Sequence, residues 1–390
     1  MGLSWKRILE TEKRLISMKK KNKFSVSFNA PYLQMKLYEK SLHDLTSKIV
    51  ESGTFLYGRQ VVELEKNLSR TFRREALTLA SGHDALLLSL QALRLSHKDE
   101  VIFPANVYPT AFPIFQSGVK PILCDVDASG QLDPHAVEKV LSSRTKVIVI
   151  VHLYGLVGQL DEIIRIAREH KLILIEDCAQ AYGSKFNGKY VGTFGDIGCF
   201  SFYPTKNIGT MGDGGAIITK NRKLYSYIFQ ARQYGESKRY KSTFVSGHSR
   251  LPEFQSGVIN VILKDYKEVM EKKLAVYNTY LREFSKAPFD NNVRILRSHV
   301  LSSPSLHLFV IEVKQRQRLM TYLSSKGIEA HIHYPYSIHR VKAFHIDKKQ
   351  NYPMSDRLSK NCISLPFHQF LTHSQITYVV STIAQFYGKT

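Results

Sequence analysis

Short, uninterrupted apolar runs are what most constrain the fold of this chain. Val101-Ile-Phe103, Pro121 to Val126, Lys146 to Val151 and Leu172-Ile-Leu-Ile-Glu176 each read as a strand. Stretches of helical length lie between them. His83 to Leu93 follows the strand-and-turn Leu77-Thr-Leu-Ala-Ser81-Gly82. Asp133-Pro-His-Ala-Val opens with an Asp N-cap and a Pro at the first helical position, and Asp161 to His170 leads into the Leu172 run. Apolar strands alternating with helices predict βαβ units and a mostly parallel sheet covered on both faces.

Past about residue 260 the texture changes. Lys264 to Ser285 predicts a long charged helix, Ser305 to Val313 a strand and Gln315 to Lys326 a helix. A His/Tyr/Pro-rich stretch at 331–339 and a closing helix near Ser374 to Phe386 complete a smaller α+β unit. At roughly 150 residues per domain, 390 residues allow two or three domains. The expected division is a basic extension at 1–23, a large α/β domain at 24–262 and a small domain at 263–390.

The net charge is +22, which raises the question of nucleic acid. Part of it is local. Lys6, Arg7, Lys13, Arg14, Lys19, Lys20, Lys21 and Lys23 face only Glu10 and Glu12 within the first 23 residues. The remainder is diffuse, without RGG, zinc-finger or RNP-type patterns, and reads as a solvated basic surface. Cys124, Cys178, Cys199 and Cys362 lack CxxC spacing, so reduced thiols and a cytoplasmic setting are expected, with no structural metal. The Val147 to Val151 run is far too short to span a bilayer, and no apolar segment follows the basic N-terminus, so no membrane association is expected.

Four features fall after predicted strands, where open parallel sheets collect ligands. Ser81-Gly82-His83 begins a helix whose free N–H groups suit a phosphate, although ordinary βα turns look the same. Tyr108, in Phe103-Pro-Ala-Asn-Val-Tyr108, is either a ring-stacking or a core aromatic. Asp177, with Gln180 three residues on, is either a catalytic acid or a loop N-cap. Lys206 lies in Ser201-Phe-Tyr-Pro-Thr-Lys206-Asn-Ile-Gly209, between an apolar strand and a glycine-rich turn, where a solvated surface charge is poorly placed. Together these are the parts that pyridoxal phosphate (PLP) requires. The phosphate needs an anchor, the ring nitrogen a carboxylate that keeps it protonated, and the aldehyde a lysine to form a Schiff base.

In these segments the chain resembles the DegT/DnrJ/EryC1/StrS family, sugar aminotransferases of PLP fold type I. Further matches are Val151-His-Leu-Tyr-Gly155, Gly212-Asp-Gly-Gly-Ala216, Gly247-His-Ser-Arg-Leu251 and Ile332-His-Tyr-Pro335, over about residues 28 to 388. The resemblance implies an aspartate aminotransferase-like α/β fold with a large PLP-binding domain. It assigns Lys206 as the Schiff-base lysine, Asp177 as partner of the pyridine nitrogen and Gln180 as partner of the ring hydroxyl. Ser201 with Gly82 and His83 would hold the phosphate, and Tyr108 would stack on the ring. It also implies a homodimer with shared active sites, the segment around His248 being lent to the partner.

Two departures stand out. His83 replaces the family's usual Thr, and His248 its usual Asn, both beside the phosphate. A histidine can still donate a hydrogen bond there, so an altered grip with retained activity is expected. Arg232-Gln-Tyr-Gly235 and His333-Tyr-Pro-Tyr336 are similar to members that aminate C3 of dTDP-3-keto-6-deoxyhexoses. His333, Tyr334, Asn207 and Arg250 are the candidate substrate residues. The expected reaction moves the amine of L-glutamate through PLP to such an NDP-sugar, in amino-sugar biosynthesis. A 4-keto-sugar aminotransferase and a non-catalytic or regulatory paralogue are the alternatives.

Overall fold

A computed structural model describes residues 24–287, 289–346 and 350–388, so the basic extension expected at 1–23 lies outside the described residues. Its central sheet has seven strands: β1 (Glu75–Leu79), β2 (Glu100–Pro104), β3 (Lys120–Cys124), β4 (Thr145–Val151), β5 (Ile173–Asp177), β6 (Ile197–Ser201) and β7 (Gly215–Thr219). They pair in the order β1-β7-β6-β5-β4-β2-β3. Only β7 runs against the rest, antiparallel to both neighbours. The carboxyl ends of the other six therefore share one edge. In register there stand Val151 beside Asp177, and Ser201 and Leu79 each beside Gly215.

The apolar runs bury both faces. In β4, Val147 and Val149 join one core, and Ile148 and Ile150 the other, by the two-residue period of a strand. The first face is covered by α3 (Gly82–Ala92), α4 (Tyr108–Gln116) and α7 (Arg222–Ala231), through Leu86, Ile114 and Ile228. The second is covered by α1 (Glu39–Ser52), α2 (Arg59–Phe72), α5 (Pro134–Val140), α6 (Leu160–Glu169) and α8 (Glu253–Lys264), through Leu45, Leu64, Val137, Ile163 and Val258. Asp133 caps α5 through the N–H of His135.

A third core joins the long α9 (Tyr266–Lys286) to a three-stranded antiparallel sheet of β8 (Val293–Ile295), β9 (Phe309–Val313) and β10 (Cys362–Leu365). Helices α10 (Arg316–Ser325) and α11 (His373–Phe386) pack on it. Val26 sits in the same core and pairs with Ile328, so the first described residues belong with the C-terminal sheet. The fold is thus α/β, a mostly parallel mixed sheet beside a smaller α+β portion.

Two expected elements differ. The strand from Ser305 to Val313 begins only at Phe309, because the N–H groups of Ser305 and His307 are drawn to the carbonyls of Gly155 and Tyr154. The charged helix expected from Lys264 begins at Tyr266, behind the buried helix α8.

Beneath the ligand edge, Glu176 anchors the loop that leads into β6. Its carboxylate is fully buried and accepts the N–H groups of Gly192, Phe194 and Gly195, each at 2.7 Å, with His152 Nε2 at 3.0 Å. Glu176→Ala would strand three donors at about 1 kcal/mol or more each. Denaturant unfolding should show a loss of at least about 3 kcal/mol, with Glu176→Gln losing less. Equal stability of all three proteins would contradict this role.

Candidate functional site

The shared edge opens into a cavity of about 510 Å³ between the sheet and the C-terminal portion. Asp177, at the end of β5, and Lys206, five residues past the end of β6, both line it. Asp177 is 4% exposed; its Oδ2 accepts from Thr110 Oγ at 2.7 Å and its Oδ1 from the Ala179 N–H at 3.0 Å. Burial pushes its carboxyl above the usual carboxylate range, while these two donors, Lys206 and His152 pull the other way. A buried carboxylate held by so few donors favours a nearby cation.

Lys206 is shaped by the turn around it. Its N–H donates to the Tyr203 carbonyl at 2.8 Å, and the Thr210 N–H returns to Phe202 at 2.8 Å. Burial lowers its amine to about 8, against the opposing pull of Asp177. At pH 7.5 roughly a quarter of such an amine is neutral, against roughly 0.1% of an ordinary lysine. A neutral amine of this kind carries the free lone pair that a carbonyl requires.

The turn at Ser81 approaches the same point. Ser81 caps α3, its Oγ accepting from the Asp84 N–H at 3.0 Å. A Cβ on Gly82 would lie 2.7 Å from Ser201 Cβ, and one on Gly215 would lie 2.2 Å from the Ser81 carbonyl oxygen. Glycine is what lets the helix N-terminus close on the end of β6. Ser201, Gly82 and His83 line the same cavity, and α3 aims its N-terminal dipole there, as an anion requires.

Tyr108 opens α4 on one wall and is 38% exposed, its ring centroid 6.3 Å from that of Tyr334. Gln180 Oε1 accepts the Tyr154 N–H at 2.7 Å, and its Nε2 donates to the Tyr334 hydroxyl at 3.3 Å. His333 lines the wall too; its Nδ1 meets Ser364 Oγ at 2.9 Å, and burial lowers its imidazole to about 4.

Other sequence candidates are committed to different partners. The His83 imidazole is engaged by Gln116, Nε2 to Oε1 at 2.7 Å. Asn207 points away from the cavity. Its Nδ2 donates to Ser305 Oγ at 2.7 Å, and its Oδ1 accepts from the buried Lys273 ammonium at 3.1 Å. His248 and Arg250 flank Tyr234 outside this chain's cavity, at 5.4 and 5.7 Å from its ring. Ser249 between them ties the loop to α3, donating to Asp84 at 2.6 Å and accepting the Ala80 N–H at 2.9 Å.

Sequence reading passed over Thr110 and His307, which also line the cavity. Thr110 had a signal, two residues beyond Tyr108 on the same helix. His307 had none, sitting in what looked like a strand. Burial, then the charges of Lys206 and Lys273, hold its imidazole well below the ordinary value, so it is neutral.

His152, Glu176 and Cys178 bring three ligand-type atoms within 4.8 Å of one another. Glu176 is already engaged by four donors, and burial pushes the Cys178 thiol far up, which disfavours the metal-binding thiolate. No helix among the described residues is long and apolar enough to cross a membrane.

The model of the DegT/DnrJ/EryC1/StrS aminotransferase family matches residues 37–384. The dTDP-3-amino-3,6-dideoxy-alpha-D-galactopyranose transaminase of Aneurinibacillus thermoaerophilus is 33% identical, over 90% of this chain and 96% of its own. Among solved structures, DesV of S. venezuelae in complex with a ketimine intermediate superposes with a TM-score of 0.88 at 28% identity, over 93% of this chain and 98% of that one. NtdA of Bacillus subtilis, with bound cofactor PMP, superposes with a TM-score of 0.82 at 25% identity, over 89% and 81% of the two chains.

The lowered Lys206 amine sets an expectation independent of turnover. In competitive labelling with an amine reagent, read by mass spectrometry, Lys206 modification should rise with a midpoint near pH 8. A midpoint with the bulk of the lysines, above pH 10 by ordinary values, would overturn the reading.

Proposed function

Because the chain belongs to the DegT/DnrJ/EryC1/StrS aminotransferase family, we propose that it transfers the amine of L-glutamate to a nucleotide-linked keto-sugar, with PLP as cofactor. The observation that carries this is the meeting of Asp177, Lys206 and the N-terminus of α3 in one cavity. The donor set fits the cofactor: a desolvated carboxylate for a protonated ring nitrogen, a lysine near neutrality for the aldehyde, and a helix N-terminus for the phosphate. When bound, PLP supplies the electron sink for amino-group transfer.

The rest falls to the chain. Asp177 would hold the proton on the pyridine nitrogen, and Thr110, by donating to Asp177, keeps that carboxylate oriented. Gln180, fixed by the Tyr154 N–H, lines the cavity, and its amide Nε2, which also donates to Tyr334, would serve the ring hydroxyl. Tyr108, exposed on the cavity wall, would cover one face of the ring. Lys206 would hold the cofactor's aldehyde and, as a free amine, has the basicity to take up and return a proton at the reacting centre. Ser201 and the backbone at Gly82 and His83 would hold the phosphate, with the His83 side chain turned to Gln116.

The aminated position is read as C3 of a dTDP-linked 6-deoxyhexose, supported by the activity named for the Aneurinibacillus relative; His333 and Tyr334 line the cavity where the sugar would enter. The loop carrying His248 and Arg250 lies outside this chain's cavity and is assigned to the site of a partner in a homodimer. A non-catalytic role is disfavoured because the lysine and the acid are both present and line one cavity.

Reconstituted with PLP, the protein should absorb in the visible and bleach on addition of L-glutamate. Lys206→Ala should lose both responses. Asp177→Asn should lower kcat by about 10²-fold or more, the scale of losing a required protonation state. Incubation with 3-keto and 4-keto dTDP-sugars, with products identified by mass and NMR, tests the position. Exclusive 4-amination would refute the C3 assignment, and no visible band in the reconstituted parent would refute the reading altogether.

A further inference from the structure

A second cavity, of about 750 Å³, lies at the opposite edge of the central sheet. It is bounded by the end of α2, the approach to β1, the exit of β7, the end of α6 and the hairpin at 185–190. Six cations line it: Arg70, Arg73, Arg74, Arg168, Lys189 and Lys220. No carboxylate does. Among the described residues, none of the six forms an ion pair.

Ordinary structural reasons account for four of them. Arg70 and Arg168 occupy the last turns of α2 and α6, and Arg73 is the C-cap of α2, positions where a cation complements the helix dipole. Arg74 donates to the Thr193 carbonyl and feels the buried Glu176 at a distance. Lys189 and Lys220 have no such reason. Bringing like charges together on a concave wall is unfavourable unless an anion neutralises them, and a concave, low-dielectric wall concentrates their field.

The remaining wall is aromatic. Tyr190 is half-buried, with Phe72 packed edge-on at 5.5 Å and the Lys185 ammonium 4.6 Å from its ring centroid. Phe194 adds a partly exposed edge. The volume is that of a small-molecule site.

We propose that this cavity binds a nucleoside di- or triphosphate, the phosphates on the six cations and the base against Tyr190 and Phe194. The site is distinct from the Asp177–Lys206 cavity, which lies on the other edge of the sheet. It gives part of the chain's surplus positive charge a local use.

The test is calorimetric titration of the PLP-loaded protein with ATP, pyrophosphate and AMP at low ionic strength. The comparison proteins are the triple variant Arg73→Ser/Lys189→Ser/Lys220→Ser and the active-site variant Lys206→Ala. All three residues of the triple are exposed, so folding should survive, and its transaminase activity should match the parent. ATP should bind the parent and Lys206→Ala alike, and the triple variant at least tenfold more weakly. Tyr190→Ala should weaken ATP and leave pyrophosphate unchanged. Equal ATP affinity in the parent and the triple variant would overturn the proposal, as would ATP binding lost only in Lys206→Ala. Pyrophosphate binding as tightly as ATP would overturn the nucleotide assignment. So would a single-stranded oligonucleotide that displaces ATP at far lower concentration, pointing to nucleic acid instead.

Discussion

A carboxylate and an amine withdrawn from water at the edge of an apolar sheet each resist charging, and the architecture around Asp177 and Lys206 follows from that resistance. Desolvation raises the acid and lowers the base. Left in water, the pair would be an ordinary anion and an ordinary cation. Held here, the acid gains most from a cation placed beside it, and the lysine titrates nearer neutrality than a solvated one. Both properties come from burial, so whatever fixes the strand ends fixes the chemistry.

Three devices fix them. Glu176, one residue before Asp177, gathers the loop that feeds β6. Glycines at 82 and 215 allow α3, β6 and β7 to meet without side chains between them. Gly155, at φ +81, turns the loop after β4 under Gln180 and Ser305, where a Cβ would lie within 2.9 Å of both. That last contact ties the sheet to the C-terminal portion and brings His307 to the cavity wall.

Much of this was legible in the residues. Parallel strands buried on both faces leave continuous apolar runs, so β2, β4 and β5 were marked within a residue or so, and the four features that line the cavity come at or after the ends of β1, β2, β5 and β6. What was hidden had other causes. Ser305 to Leu308 has the composition of a strand but spends its N–H groups on the 154–155 loop, a pairing no local pattern announces. Asn207 sits next to the key lysine and invites a substrate role, yet its amide is committed to Ser305 and Lys273 through contacts about 66 to 98 residues away. His83 stands where a phosphate ligand was expected, and its imidazole is taken by Gln116 on the neighbouring helix. The carboxylate-free basic cavity gathers residues from five separate segments and has no signature in sequence beyond an excess of charge.

The proposed role of buried Asp177, keeping a cation at the heart of the cavity, is read most directly by ¹⁵N NMR of the cofactor's ring nitrogen. The protein would be loaded with ¹⁵N-labelled PLP and compared with Asp177→Asn. The account predicts a protonated nitrogen in the parent through neutral pH and a deprotonated one in the variant. An unprotonated nitrogen in the parent at neutral pH, or the same shift in both proteins, would contradict it.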